Sequence, residues 1–167
     1  TVTVVINCST ASVPNIKFSD LEWGIIQEHF DTNIKGSFNI LKCVVPIMEQ
    51  NKRGKIINLS TLAVDTPMSG LLHYITAKSA LSGFTKALAM ELAPKGIRIN
   101  LVSPGMTDTA LVADVPGKVR LLTEAQTPLR RLATPEDVAG AISFLASEKS
   151  DYLTGETIRV NGGQIML

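Results

Sequence analysis

Four short runs rich in branched apolar residues constrain this chain more than anything else in it: Val2 to Ile6, Lys55 to Leu59, Ile97 to Val102 and Thr157 to Val160. Each suits a strand buried on both faces. Helical patterns lie between them. Ser19 is expected to cap the first helix, with Glu22 completing a capping box. Leu21, Ile25, Ile26 and Phe30 then turn inward. A second helix carries Phe38, Leu41, Val45 and Met48 and ends in Gln50-Asn51-Lys52-Arg53-Gly54. The third, about Leu72 to Leu92, buries Ala77, Leu81, Phe84, Leu88 and Leu92, and Pro94 and Gly96 stop it. Met106 to Arg131 holds Pro116, Gly117 and Pro128, which predict short helices and mobility. Thr134-Pro135-Glu136-Asp137 is a strong helix start, with a capping hydroxyl, Pro in the first position and acids in the first turn. Val138, Ala141, Ile142 and Leu145 form the inner face of that helix.

The predicted order is β-α-α-β-α-β-α-β. Alternation of this kind gives an α/β fold: a parallel sheet, right-handed crossovers and helices on both faces. Such sheets bind ligands beyond the C-terminal ends of their strands. Polar clusters fall there: Asn7 and Ser9, Ser60 and Thr61, then Pro104 to Thr109. The 167 residues suit one domain, residues 1–167, with a real core.

Charge and composition remove several functions. A net charge of +1 gives no electrostatic case for nucleic acid or an anionic membrane. No apolar run reaches membrane-spanning length. Thr1 to Ile6 lacks the flank and cleavage site of a signal peptide. Cys8 and Cys43 lack metal or redox spacing and read as small buried residues in a reducing, cytoplasmic setting. His29 and His73 have no partners at metal-ligand spacing, so they read as surface or packing residues and no metal is expected. A serine hydrolase would need a G-x-S-x-G elbow, which the chain lacks.

The chemistry centres on Tyr74-Ile75-Thr76-Ala77-Lys78. Residues four apart on a helix share a face. A phenol is a useful proton donor once its pKa is drawn toward neutrality, and a neighbouring ammonium is expected to do that. Thr61, at the tip of a strand, can donate to a carbonyl oxygen that gains charge. Asn33, at the join of two helical stretches, can hold a water near Lys78. Thr107 and Thr109 can bond an amide or a phosphate.

Read together, these residues resemble the short-chain dehydrogenase/reductase family, and within it the 3-oxoacyl-acyl-carrier-protein reductases. The resemblance rests on Asn33-Ile34-Lys35-Gly36, the strand end Ile57 to Thr61, Tyr74-x-x-x-Lys78, Pro104-Gly105-x-x-x-Thr109, Thr134 to Ala139, and Thr154 to Gly163. It implies a Rossmann-like doubly wound sheet in three layers and an oxidoreductase that uses NADP or NAD on a small carbonyl or alcohol, free or carrier-bound. It also implies catalytic residues Asn33, Thr61, Tyr74 and Lys78. Asn7, Tyr74, Lys78, Pro104, Gly105, Thr107 and Thr109 would meet the cofactor. Two long helices, around Phe38 to Met48 and Tyr74 to Leu92, would form a homodimer or homotetramer interface.

The chain departs from the family in three places. Ile6-Asn7-Cys8-Ser9 keeps one Asn of the family's Asn-Asn-Ala-Gly, and Thr61 stands where Ser is usual. No G-x-x-x-G-x-G loop occurs, so the pyrophosphate cradle and the family's first three strands are missing. The chain therefore reads as the C-terminal, catalytic part of the fold, about four strands, with Val2 to Ile6 an exposed apolar edge. Alone it is expected to bind dinucleotide weakly. A rival reading is an inactive remnant that acts only in subunit assembly. Lys52, Arg53 and Lys95 are placed beside the site mouth, where they would meet an acidic carrier. Met106 to Leu132 reads as a substrate lid whose Leu111, Val112, Val115 and Leu121 suit an apolar substrate.

Overall fold

In the computed structural model, residues 2–166 are described, and four parallel strands form one sheet in the order β1-β2-β3-β4. The strands are β1 (Val4–Asn7), β2 (Gly54–Leu59), β3 (Ile97–Pro104) and β4 (Thr157–Val160). The helices are α1 (Trp23–Phe30), α2 (Gly36–Gln50), α3 (Leu72–Leu92), α4 (Gly117–Gln126) and α5 (Pro135–Ala146). β2 and β3 pair over six residues, Gly54 with Ile97 through Leu59 with Val102. That register sets Ile56 beside Ile99 and Ile57 beside Asn100.

Alternation along the strands then splits the core in two. On one face Ile56, Ile97 and Ile99 pack with Leu41 and Met48 of α2 and Ala89 and Leu92 of α3. On the other, Ile57 and Val102 pack with Val138 and Leu145 of α5. Helices therefore cover both faces, as the strand and helix order predicts. The outer edge of β1 pairs with no strand among the described residues, and Val4 and Ile6 are exposed.

Local chemistry explains the element ends. Thr134 accepts from the amide of Asp137, whose carboxylate accepts from the Thr134 amide, a complete capping box behind Pro135. Gly96 turns the chain into β3 at φ +79°, and a Cβ there would sit 2.2 Å from the Lys52 carbonyl. The expected cap at Ser19 is not formed. Ser19 lies inside a short 3-10 turn, Phe18–Asp20, closed by its own backbone bonds, so α1 starts later, behind Glu22. The first strand runs Val4–Asn7 rather than Val2 to Ile6. On α1 the buried residue is His29, while Leu21, Ile25, Ile26 and Phe30 are half-buried.

The cysteines correct another expectation. Cys8 and Cys43 are both exposed. Cys8 follows the end of β1 at the sheet rim, and Cys43 lies on α2 away from its buried residues Ser37, Leu41 and Met48. Small size permitted burial but did not require it. The stretch expected to hold only short helices contains the ten-residue α4.

Ile99 is fully buried in the larger core cluster. Ile99→Ala should lower the free energy of unfolding by about 2–5 kcal/mol, read as a reduced urea midpoint. A loss within the scatter of surface substitutions would contradict this packing.

Candidate active site

The site lies where β1, β2 and β3 end together. Asn7 closes β1, Thr61 follows β2, and Pro104 and Gly105 end β3. α3 packs against β3 and carries Tyr74 and Lys78 one turn apart. The Thr61 side chain lies beside the Tyr74 phenol, close enough to favour its ionised form. Thr61 can reach it because the strand has ended: its backbone is extended, and its hydroxyl also accepts from the Ala63 amide at 3.3 Å.

Lys78 is only 3% exposed. Its Nζ donates to the carbonyl of Leu59 at 2.8 Å and to that of Ser9 at 3.2 Å. One ammonium hydrogen of three remains. Burial holds this amine down at about 8, with the Cys8 thiol acting the other way. Burial likewise pushes the Cys8 thiol up, opposed by Lys78. For Tyr74, burial raises the phenol above its ordinary value, and Thr61 only partly offsets it. The expectation that Lys78 draws Tyr74 toward neutrality is therefore corrected. The ammonium spends its bonds on strand-end carbonyls, and desolvation decides the phenol.

Asn33 is fully buried in a π-helical stretch, Asp31–Lys35, between α1 and α2. Such stretches often mark functional sites. Its Nδ2 donates to the His29 carbonyl at 2.9 Å. Its own carbonyl accepts from the Ser37 hydroxyl, one turn on. Ser37 in turn accepts from Asn7 Nδ2 at 2.6 Å, and Asn7 Oδ1 accepts from the Ser9 hydroxyl at 2.7 Å. Asn33, Ser37, Asn7, Ser9 and Lys78 thus form one polar chain. Ser37 was not picked out from sequence. Its four-residue offset from Asn33 was the available signal, but a serine so placed on a helix is commonplace.

Gly105 fits tightly against β4: its amide donates to the Val160 carbonyl at 2.9 Å, and a Cβ would lie 3.3 Å from Asn161 Cα. Thr107 donates to the Gly105 carbonyl at 3.1 Å. Thr109 donates weakly to the Thr107 carbonyl at 3.4 Å and is exposed further along the loop. So Asn7, Asn33 and Lys78 are joined through hydrogen bonds, Thr61 and Tyr74 lie beside each other, and Thr107 and Thr109 belong to the turn beyond β3. Among the described residues no acidic, histidine and cysteine cluster could hold a metal.

Lys52, Arg53 and Lys95 are not at the site mouth. They precede β2 and β3, at the opposite end of the sheet. Arg53 pairs with Glu148 at 2.8 Å and Lys95 with Glu49 at 2.6 Å. The physical reason is polarity: residues before a parallel strand lie at the wrong end of it.

A buried lysine held at about 8, against 10.5 in the unfolded chain, has a signed consequence. Between those values the unfolded state binds the proton more tightly, so stability rises with pH across that window. In urea titrations the wild type should gain stability relative to Lys78→Met from pH 8 to 10.5. A flat difference over that range would remove the buried ammonium.

Comparison with known proteins places this arrangement. Residues 1–164 match the family model described as Enoyl-(Acyl carrier protein) reductase. The 3-oxoacyl-(acyl-carrier-protein) reductase of Vibrio cholerae is 36% identical over 152 residues, 91% of this chain and 61% of that protein. Nodulation protein G of Azospirillum brasilense is 37% identical over 88% of this chain and 58% of its own length. The crystal structure of a 3-oxoacyl-(acyl-carrier-protein) reductase from Brucella melitensis superposes with TM-score 0.91 at 35% identity, covering 98% of this chain and 63% of that one. A second from the same organism, with bound NAD, gives TM-score 0.89 at 34% identity over 98% and 62%. The chain thus spans about three fifths of the length of these relatives. No helix among the described residues is long and apolar enough to cross a membrane. With residues 1–164 matched, its sheet shared with reductases of known structure and its motifs in family order, the chain belongs to the short-chain dehydrogenase/reductase family.

Proposed function

We propose that this chain carries the proton-handling part of a nicotinamide-dependent reductase that turns a ketone into an alcohol. The observation that carries the reading is the meeting of the Thr61 side chain with the Tyr74 phenol at the C-terminal rim of the sheet. Two hydroxyls that meet there can both approach one carbonyl oxygen. Donors preset where negative charge develops lower the barrier to reduction. Burial keeps the phenol protonated at neutral pH, the form a proton donor must have. Thr61 orients the oxygen and Tyr74 gives it the proton. Lys78, charged below about 8, puts a cation behind them. The polar chain through Ser9, Asn7 and Ser37 to Asn33 fixes the strand-end carbonyl that holds the Lys78 ammonium.

The residues present fit the nicotinamide end of the cofactor. Lys78 has a hydrogen left for a ribose hydroxyl after its two carbonyl bonds, Gly105 offers backbone at a position with little room for a side chain, and Thr109 presents an exposed hydroxyl. Asn7, Tyr74, Pro104 and Thr107 complete that set. When bound, NAD or NADP supplies the hydride. The NAD-bound relative supports this chemistry.

The substrate proposed is a 3-oxoacyl group on a carrier, as the names of the relatives suggest. The segment from Met106 to Leu132 supports an apolar acyl chain, since Leu121 and Leu129 are 67% and 66% exposed there. The expected basic contacts to the carrier lend no support, because Lys52, Arg53 and Lys95 stand at the other end of the sheet.

The assembly reading has its own observation. α2 and α3 leave a groove lined by Phe38, Val45, Pro46, Phe84 and Leu88. Phe38 is 51% exposed there. We take this as the face of a homodimer or homotetramer. Phe38→Glu should shift the sedimentation coefficient of the full-length protein toward monomer, and a wild type that already sediments as monomer would remove the assembly.

For the reaction, Tyr74→Phe in the full-length protein should cut turnover of a 3-oxoacyl thioester about a hundredfold or more, followed by nicotinamide absorbance. Unchanged turnover in a folded variant would exclude Tyr74 as the proton donor.

A further inference from the structure

Two histidines that the proposed reaction leaves unused form a stack behind Tyr74, with the ring of one, His29, against it. His29, in the last turn of α1, and His73, in the first turn of α3, are both 0% exposed. Their ring centroids are 4.8 Å apart, edge to face, and the His29 ring stands 6.1 Å from that of Tyr74 in the same manner. His29 Nε2 is 3.0 Å from the Ser12 carbonyl in the loop between β1 and α1. A ring nitrogen can pair with a carbonyl only as donor, so Nε2 carries the hydrogen and Nδ1 is left an acceptor. The His29 carbonyl accepts from Asn33 Nδ2. One residue thus joins the loop, the π-helical stretch and the two α3 rings.

The polar atoms of this cluster are not all answered by protein. Among the described residues five buried side-chain atoms have no hydrogen-bond partner, and four belong here: His29 Nδ1, Asn33 Oδ1, and both ring nitrogens of His73. Burial holds both imidazoles below the ordinary histidine value, which leaves them neutral at pH 7. A neutral His73 has one N–H and one acceptor. With His29 Nδ1 and Asn33 Oδ1, three acceptors share one donor. A buried water can take the His73 hydrogen and donate to two of these acceptors, and polar interior sites of this kind hold such waters.

We propose that His29 and His73 are a positioning pair for Tyr74, with His29 against the phenol ring, His73 behind His29, and buried water at their unpartnered nitrogens. The proposal rests on the reading of Tyr74 as proton donor. Edge-to-face packing sets the attitude of the phenol ring, and with it the direction of the hydroxyl toward Thr61. The pair works only while uncharged. Lys78 opposes a charge on His29 and His29 opposes one on His73, while Glu28 favours it and the Ser12 carbonyl accepts from it. The Tyr74 ring stands at another face of His29. Acid should therefore part the rings and turn Tyr74 out of place.

The test is histidine 15N NMR on the full-length protein, with His73→Phe and His29→Phe alongside. In the wild type both rings should be neutral at pH 7, with the hydrogen of His29 on Nε2, and ring protons should show cross-peaks to a slowly exchanging water. His73→Phe should abolish those cross-peaks, shift the Tyr74 ring resonances, move the acid limb of the kcat profile and lower kcat about ten- to a hundredfold with KM unchanged. Should His29→Phe fail to fold, the wild-type spectra and His73→Phe decide. Ordinary titration of either imidazole, absence of the water cross-peaks, or wild-type Tyr74 resonances and acid limb in the variants would overturn the pair. The spectra do not depend on turnover, so an active Tyr74→Phe enzyme would sink the reading of the reaction separately from the pair.

Discussion

A buried ammonium must replace the water it has lost, and Lys78 does so with two strand-end carbonyls, those of Leu59 and Ser9. The rest of the site follows from those bonds. They tie α3 to the ends of β1 and β2, and so fix where Tyr74, one turn earlier, stands relative to Thr61. Burial holds the amine down at about 8, with the Cys8 thiol acting the other way. The same ammonium cannot also serve as the chief influence on the phenol. Tyr74 is governed by its own burial and by Thr61.

The sheet makes this geometry possible. Parallel pairing puts every strand's C-terminal end at one rim, and the six-residue register of β2 on β3 keeps those ends level. Two separate clusters, one under α2 and α3 and one under α5, clamp the sheet from both faces. Polar side chains within it are paired in a similar way. Asn58 bonds Thr85 of α3 at 2.9 Å, and Asn100 bonds the Leu153 carbonyl and the Glu156 amide. Buried amides of this kind hold register because a slip would strand them.

Periodicity made the strands legible, and spacing made Tyr74, Lys78, Thr61 and Asn33 legible. The misses share a cause. Ser19 had the right chemistry for a cap, but the neighbouring backbone closed a turn first. Cys8 and Cys43 had the size for burial, but their positions fell at a rim and on an outer helix face. Lys52, Arg53 and Lys95 were assigned to the site without regard to strand polarity, and the sheet sets them at its far end. His29 and His73, read simply as surface or packing residues, proved to be packing residues placed against the phenol, which only the meeting of α1 with α3 could reveal.

Local pattern by itself determined the α/β class and the parallel sheet and named the candidate side chains, because apolar period and residue chemistry are written in the chain. The tertiary structure alone decided which way Lys78 points, that Ser37 and Ser9 link Asn33 to it, and that two imidazoles stand behind Tyr74. Those outcomes depend on burial and on partners far apart in sequence, and a buried polar group takes whichever partner the packing brings within reach.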